Sequence, residues 1–170
     1  SEPQAAVAAA QFTRLRRITD RRAQLGRLLT VALAGLPGVL TPVVGPRDHG
    51  TCWFYYFRLD LDRLSCDRAT FVKALTAERA PAYAGYIGVP VYRWPVFQNR
   101  NFFAGRWPAR ELGLTRMDYR RVRCPNAEAI LRDGVTIPVR EWWTPAYARA
   151  VARAIRKVAE HYAKPKPNRR

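Results

Sequence analysis

The chain has 170 residues, of which 48% are apolar and 25% charged, and its 30 lysines and arginines against 13 aspartates and glutamates give a net charge of +17. This composition is typical of one ordinary folded domain and excludes a wholly disordered chain. No apolar run reaches the roughly 18–20 residues of a membrane-spanning helix, so we expect no membrane segment.

The first predicted element is a long helix over residues 3–36. Apolar residues from Phe12 to Leu29 recur there at steps of three and four positions, and Gly35 and Pro37 end the pattern. The apolar start, with several alanines in a row, is typical of a helix that has neighbours on most of its sides.

An extended segment at residues 39–44 and an aromatic strand at 52–61 follow, and the aromatic strand is predicted to be central in its sheet. Asp67 is the predicted N-cap of a helix over residues 68–79. Residues 83–91 form the next predicted strand.

A long segment without a sustained period occupies residues 92–117. Its many aromatic side chains indicate that it is ordered against other parts of the protein, because such side chains are costly to leave in water. After it we predict a short helix over residues 125–132, a strand over 135–139 and a last helix over 145–162 that opens at Thr144.

This order of helices and short strands predicts an α/β fold of the α+β kind, with a sheet of three or four short strands backed by helices. We expect one domain over residues 1–163 and a disordered basic tail over residues 164–170.

The positive charge first suggests a nucleic-acid-binding protein. The excess of basic over acidic residues is 4 within residues 1–50, 5 within 51–110 and 8 within 111–170, so it is spread along the chain. Local groups occur near residues 14–22, near 116–123 and in the tail. Solvated faces therefore explain most of the charge, while an acidic partner domain or a phosphorylated substrate remains open.

The three cysteines, Cys52, Cys66 and Cys124, lack the spacing of metal ligands, so we expect neither a disulfide framework nor a metal site. The N-terminus lacks the basic start of a secretory signal, which favours a cytoplasmic protein. No phosphate-cradling GxxxxGK[ST], HExxH or GxSxG motif is present, which argues against a self-contained nucleotide-binding or hydrolytic domain.

Six segments carry a resemblance to a known family. They are SEPQAAVAAAQFTRL (1–15), LPGV (36–39), the aromatic strand led by His49, PVYRWPVF (90–97), CPNAEAIL (124–131) and TIPV (136–139). In this order they resemble the C-terminal part of the DegT/DnrJ/StrS family of sugar aminotransferases. CPNAE followed by a short strand is the most specific of these elements.

The resemblance implies a pyridoxal-phosphate-dependent enzyme of the aspartate-aminotransferase fold, usually a homodimer, that moves an amino group from an amino acid to a keto-sugar or ketocyclitol. It also implies that this chain is the small C-terminal domain, with residues 1–36 leading from a large domain. In such enzymes the large domain supplies the Schiff-base lysine and most contacts to the cofactor. We therefore expect no catalytic residue in this chain.

The lysines of the chain support the same expectation. Lys73 and Lys157 lie in predicted amphipathic helices, and Lys164 and Lys166 lie in the polar tail. None has the family's lysine context, and unpaired lysines are rarely buried. The chain alone is therefore predicted to be inactive as a transaminase.

Three candidate substrate-binding residues follow from the PVYRWPVF segment. Tyr92 stands where the family often has a histidine, and a phenol can donate to a sugar oxygen but is a poor base near neutral pH. Arg93 is a candidate for binding a substrate carboxylate or phosphate. Trp94 is a candidate for the pocket wall, although all three residue types also suit ordinary surface or packing roles.

Three further candidates are His49, Asn99 and Asn101. His49 matches a family position before the aromatic strand, and the two asparagines form a polar cluster between aromatics that suits a hexose or, equally, a turn. Glu128 is interpreted as a helix-start and interface residue and not as a catalyst, because a carboxylate in the first helical turn is favoured by the helix dipole.

Two functions from different classes remain at this point. The first is the C-terminal domain of a sugar aminotransferase that requires a large domain. The alternative is a stand-alone basic module that binds nucleic acid or another polyanion, for which the spread of charge gives little support.

Overall fold

Within residues 1–165, the part of the chain that it describes, the computed structural model has seven α-helices and a four-stranded antiparallel sheet. The helices are α1 (Glu2–Phe12), α2 (Leu15–Leu33), α3 (Arg68–Ala77), α4 (Pro95–Gln98), α5 (Pro108–Glu111), α6 (Pro125–Asp133) and α7 (Pro145–Tyr162). The strands are β1 (Val39–Leu40), β2 (Phe54–Leu59), β3 (Tyr83–Ala84) and β4 (Gly134–Pro138), in the order β1-β2-β4-β3. The predicted fold class, a small sheet backed by helices, is confirmed.

The core lies on one face of β2. Tyr55, Phe57 and Leu59 are buried, and the residues between them are partly exposed, as the two-residue period of a strand with one covered face requires. Helices α2, α3 and α7 supply most of the other buried side chains of this core. Because β2 pairs with β1 on one side and β4 on the other, the prediction of a central aromatic strand is confirmed.

Side-chain caps begin two of the core helices where the sequence predicts them. Asp67 Oδ1 accepts a hydrogen bond from the Thr70 backbone N–H at 2.8 Å, and Thr144 Oγ1 accepts one from Tyr147 at 3.1 Å. Each cap gives a partner to an N–H group that the first turn of a helix leaves unpaired. The starts of α3 and α7 are thus local properties of the sequence.

The structure divides the helix predicted over residues 3–36 into α1 and α2, which are separated at Thr13 and Arg14. The Thr13 hydroxyl donates to the carbonyl of Ala10 at 2.8 Å. Thr19 and Thr30 make similar hydrogen bonds within α2 without interrupting it, so this contact alone does not account for the division. Helix α1 buries no residue among the described part of the chain, so tertiary packing there does not oppose the break.

The strand predicted over residues 83–91 is shorter than expected. Only Tyr83–Ala84 pairs with β4, because Gly85 adopts a φ of +80° that leaves the extended region. The chain then reaches a 3-10 turn at Val91–Arg93, which precedes α4. The segment 92–117, predicted as an ordered loop, contains two short helices, α4 and α5.

Close to the end of the chain, Lys164 is held by two hydrogen bonds. Its backbone N–H donates to Arg63 and its Nζ donates to the carbonyl of Asp62. Residues 166–170 of the predicted tail lie outside the described residues. No helix among residues 1–165 has both the length and the apolar character needed to cross a bilayer.

Candidate functional site

One small cavity, which we call the arginine pocket, has a volume of about 260 Å³. It is lined by Tyr92, Arg93, Gln98, Tyr119, Arg120 and Arg123. Tyr92 and Arg93 come from the 3-10 turn, Gln98 ends α4, and the other three come from the segment that leads into α6. Three guanidinium groups and two phenol rings therefore line one small space.

The Gln98 side chain connects the two segments of this pocket. Its amide Nε2 donates to the carbonyl of Tyr92 at 2.6 Å and to that of Tyr119 at 3.2 Å. The carbonyl of Gln98 in turn accepts from Arg120 Nε at 3.0 Å. Both amide hydrogens are used in this way, so Gln98 positions the pocket wall and has no free donor for a ligand.

Tyr92 is engaged with α6 through Glu128. Its hydroxyl donates to Glu128 Oε1 and accepts from the backbone N–H of Cys124 at 3.3 Å. Arg93 Nη2 donates to the same carboxylate oxygen at 2.9 Å. The hydrogen bond from Tyr92, with the charge of Arg93, outweighs partial burial and lowers the pKa of Glu128 below its usual range. The Tyr92 hydroxyl proton therefore lies in the hydrogen bond to Glu128.

The other guanidinium groups of the pocket are held by backbone carbonyls. Arg123 Nη1 donates to the carbonyls of Arg120 and Val122 at 2.9 and 2.8 Å. Neither Arg120 nor Arg123 forms an ion pair with a carboxylate among residues 1–165. Asp118, in the same segment, pairs with Arg100 at 3.0 Å and Arg121 at 3.8 Å. Of the three arginines of the pocket, only Arg93 therefore lies within ion-pair distance of a described carboxylate.

An aromatic cluster adjoins the pocket through Tyr119. The rings of Phe97, Phe102, Trp107 and Tyr119 have centroids 4.4–6.1 Å apart, mostly in tilted or edge-to-face geometry. This is the arrangement that aromatic side chains favour. Three aromatics of segment 92–117 therefore pack against one another and against Tyr119, whereas Phe103 of the same segment is 71% exposed.

A larger cavity of about 560 Å³ lies between α2, the loop at residues 42–52 and β2. His49 lines it and stands 3.8 Å from Asp20. Burial raises the pKa of the Cys52 thiol to about 11, and burial raises the pKa of Tyr55, whose hydroxyl pairs with Thr30, to about 12. Both groups are therefore neutral near physiological pH and supply no nucleophile or base.

The structure brings together only some of the predicted site residues. Tyr92 and Arg93 share the arginine pocket, and Trp94, the residue after them, is partly exposed at the start of α4. Asn99 and Asn101 follow α4 on the surface. His49 lines the larger cavity, which has no lining residue in common with the arginine pocket.

The sequence did not indicate Gln98 or Tyr119 as site residues, and it predicted Glu128 as a helix-start and interface residue without a role at the site. Arg120 and Arg123 carried a signal, since they belong to the basic group at residues 116–123. No spacing rule connects Glu128 with Tyr92, because 36 residues separate them.

The described lysines lie at the surface. Lys73 is exposed, Lys157 Nζ pairs with Glu78 at 2.7 Å, and Lys164 Nζ donates to a backbone carbonyl. None of them lines either cavity. Residues 1–165 also contain no cluster of three histidine, cysteine or acidic side chains that would hold a metal ion.

The sequence of this chain is similar to that of one known protein family. A model of the DegT/DnrJ/EryC1/StrS aminotransferase family matches residues 1–156. A search of curated proteins found no match.

Solved structures share the fold of this chain. DesV of S. venezuelae is 24% identical with a TM-score of 0.69, and the match covers 92% of this chain and 36% of DesV. Helicobacter pylori PseC, an aminotransferase involved in the biosynthesis of pseudoaminic acid, is 14% identical with a TM-score of 0.69, covering 94% and 37%. DesI, solved in the presence of its TDP-sugar product, is 16% identical with a TM-score of 0.65, covering 87% and 33%. The chain spans about a third of the length of these proteins.

Proposed function

Because the chain belongs to the DegT/DnrJ/EryC1/StrS aminotransferase family, we propose that it is the C-terminal part of a pyridoxal-phosphate-dependent enzyme. The complete enzyme would transfer an amino group from an amino acid to a keto-sugar or ketocyclitol. In this proposal the chain works with a large domain, in a homodimer, and is inactive without that domain.

One observation carries the proposal. The family model matches residues 1–156, nearly the whole chain, yet the chain spans about a third of each solved structure with the same fold. A piece that matches almost throughout and covers only a third of its relatives is expected to contribute one domain of a larger catalytic unit.

The lysines give independent support. Pyridoxal phosphate supplies an electron sink for amino-group chemistry, and enzymes attach it through a lysine amine that is held against the cofactor with its charge suppressed. Lys73, Lys157 and Lys164 are exposed, and the ammonium groups of Lys157 and Lys164 have surface partners. The described residues therefore do not fit covalent attachment of the cofactor.

The exposure of helix α1 also supports a large domain that packs against this chain. It buries no residue among residues 1–165, and its apolar side chains Val7 and Phe12 are 64% and 75% exposed. Exposed apolar helix faces of this kind are usually covered by another domain or subunit. A large domain that packs on α1 would cover them.

The residues of the arginine pocket have a substrate-binding role in this proposal. Because the Tyr92 hydroxyl donates its hydrogen bond to Glu128 and accepts one from the Cys124 backbone N–H, its ring is the part that can contact a sugar face, and the hydroxyl has no free donor for substrate. Arg93 is oriented by the same carboxylate. Trp94, His49, Asn99 and Asn101 remain proposed contacts to substrate.

The coding DNA upstream of Ser1, and the polypeptide that it encodes, test the proposal. We expect the reading frame, or a neighbouring gene, to encode a lysine-bearing domain. The longer polypeptide should bind pyridoxal phosphate stoichiometrically and produce an amino sugar or aminocyclitol that mass spectrometry detects. A start codon directly before Ser1, with no neighbouring gene for a domain that holds pyridoxal phosphate on a lysine, would contradict the proposal.

A further inference from the structure

Helix α6 orients Tyr92 and Arg93 through Glu128 in its first turn, but apolar packing does not hold α6 itself. Its nine residues include one buried side chain, that of Asp133. Within the described residues, no side chain of α6 belongs to the buried hydrophobic core. An isolated helix shorter than about 12–15 residues is marginal in water. The position of α6 therefore depends on polar contacts at its two ends.

Two side chains from other elements bind the backbone carbonyls at the C-terminal end of α6. The Tyr56 hydroxyl, from β2, donates to the carbonyl of Ile130 at 2.7 Å. Arg68 Nη1, from the start of α3, donates to the carbonyl of Leu131 at 2.5 Å. The last four carbonyls of a helix have no partner within it, so each hydrogen bond satisfies an acceptor that α6 leaves free.

Two glycines leave the space that these capping groups occupy. A Cβ at Gly134 would overlap the phenol of Tyr56. A Cβ at Gly85 would lie 2.8 Å from Arg68 Nη1. Both capping side chains are half-buried, and burial raises the pKa of Tyr56 although the charges of Arg68 and Arg58 act against it. The Tyr56 hydroxyl therefore keeps its proton near neutral pH and donates it to the helix end.

The charge of Arg68 suits the end of α6 better than the start of its own helix. Arg68 is the first residue of α3. The helix dipole disfavours a positive charge at an N-terminus and favours one at a C-terminus. The guanidinium lies against the C-terminal carbonyls of α6, where its charge is favoured.

We propose that Tyr56 and Arg68 are positioning residues of the arginine pocket, because the caps that they provide hold α6 in place. The position of α6 sets the position of Glu128. Glu128 in turn orients Tyr92 and Arg93. Neither capping residue lines the arginine pocket, so both act on it through α6. One consequence rests on the proposed function: the caps strengthen substrate binding.

NMR of the 170-residue chain tests the positioning role with Tyr56→Phe. This variant removes no charge and no hydrogen bond to Glu128, so a change in the pKa of Glu128 reports a change in its position. We expect that pKa to rise, because the hydrogen bond from Tyr92 weakens when α6 moves. We also expect the backbone amides of α6 to exchange with solvent at least about threefold faster.

Tyr55→Phe is the matched control for Tyr56→Phe. It removes a hydroxyl from the neighbouring residue of the same strand, whose side chain lies on the opposite face and pairs with Thr30. The control should change neither the pKa of Glu128 nor the exchange of α6. Wild-type values of both quantities in Tyr56→Phe, or equal changes in the control, would overturn the inference.

Arg68 provides a second pair of variants. Arg68→Met removes the donors and the charge, whereas Arg68→Lys keeps a positively charged donor that can reach the same carbonyls. We expect amide exchange in α6 to become at least about threefold faster in Arg68→Met and to lie closer to the wild-type rate in Arg68→Lys. Wild-type exchange in Arg68→Met would overturn the role of Arg68.

The consequence for substrate binding is measured on the longer polypeptide of the proposed function. Tyr56→Phe should raise KM for the acceptor at least about threefold with a smaller effect on kcat, because Tyr92 and Arg93 are then less well oriented. An unchanged KM would overturn the link between the caps and substrate binding.

Failure of this inference is distinguishable from failure of the proposed function. A longer polypeptide that transfers amino groups, while Tyr56→Phe leaves the Glu128 pKa and the α6 exchange at their wild-type values, would refute only the inference. A chain in which Tyr56→Phe changes both quantities, but which has no partner that holds pyridoxal phosphate, would refute only the proposed function.

Discussion

The hydroxyl of Tyr92 donates to the carboxylate of Glu128 and so joins the 3-10 turn before α4 to the first turn of α6. Arg93 shares that carboxylate. A phenol has one hydroxyl proton, and that of Tyr92 already takes part in the hydrogen bond to Glu128, so Tyr92 has no hydrogen-bond donor left for a ligand. The hydrogen bond holds the Tyr92 ring in place as part of the lining of the arginine pocket.

Replacing Tyr92 with phenylalanine should raise the pKa of Glu128 toward the ordinary value of about 4.3, because the hydrogen bond from Tyr92 is the main cause of its depression. NMR titration of the side-chain carboxyl carbon measures this pKa directly. Tyr119→Phe removes a hydroxyl from the same pocket but not from Glu128, so it is the control. An unchanged Glu128 pKa in Tyr92→Phe would show that the contact does not persist in solution.

Asp133 is a buried carboxylate at the end of α6, and its loss should destabilise the fold near neutral pH. Arg132 donates to both of its oxygens at 2.7 and 3.0 Å, and Arg58 donates at 3.2 Å. Burial alone would raise the pKa of Asp133, but these hydrogen bonds and charges outweigh it and lower the pKa. We expect Asp133→Asn to cost about 2 kcal/mol in the free energy of unfolding.

The cost of Asp133→Asn should depend on pH. Because the folded-state pKa is depressed, the stabilisation is fully present above the unfolded-state value of about 3.9 and is lost as the pH falls through the folded-state value. Urea unfolding at several pH values measures this. Glu160→Gln, which removes an exposed pair with Arg156, is the control and should cost no more than about 0.5 kcal/mol. If Asp133→Asn lowers the free energy of unfolding by as much below pH 4 as near neutral pH, the proposed role of the Asp133 charge is wrong.

Gly134 allows the Tyr56 side chain to cross the junction of α6 and β4. A Cβ at this position would overlap the phenol of Tyr56, whose hydroxyl donates to the carbonyl of Ile130 at 2.7 Å. Gly134→Ala should therefore destabilise the protein by about 1–3 kcal/mol, as overpacking does. Gly88→Ala is the matched control, because a Cβ there meets open space, and it should change stability by no more than about 0.5 kcal/mol. Equal melting temperatures for the two variants would refute the close approach.

The three cysteines should differ in reactivity. Burial raises the pKa of Cys52 to about 11, and burial with the nearby Asp67 carboxylate raises the pKa of Cys66, whereas Cys124 is exposed. Since the thiolate is the nucleophile, iodoacetamide near neutral pH should alkylate Cys124 at least about tenfold faster than Cys52. Peptide mapping by mass spectrometry measures each rate, and Cys124→Ser should abolish the fast phase. Comparable rates for Cys52 and Cys124 would show that Cys52 is not buried.

Local features of the fold could be predicted because their causes lie within a few residues. The cap by Asp67, the start of α7 at Thr144 and the alternation of β2 each depend on neighbouring side chains. The interruption of the first helix at Thr13 and Arg14 was not predicted, because Thr19 and Thr30 make similar hydrogen bonds to the backbone without interrupting α2, so a threonine does not by itself mark a helix end.

The candidate site was predictable only in part. Tyr92 and Arg93 are adjacent in sequence and line the same cavity, whereas His49 lines a different one. The order of the motifs along the chain does not determine how far apart they lie in the fold. Glu128 reaches Tyr92 across 36 residues, and Gln98 connects two loops, so tertiary contacts alone reveal both roles.

Borohydride reduction of the 170-residue chain with pyridoxal phosphate, followed by mass spectrometry, tests most directly whether the cofactor's lysine lies outside these residues. Lysines such as Lys73 and Lys157 are exposed, so we predict only slow, substoichiometric labelling spread over several amines. Addition of the proposed large domain should then produce one stoichiometric adduct on that domain. A stoichiometric adduct at a single lysine of this chain alone would contradict the account.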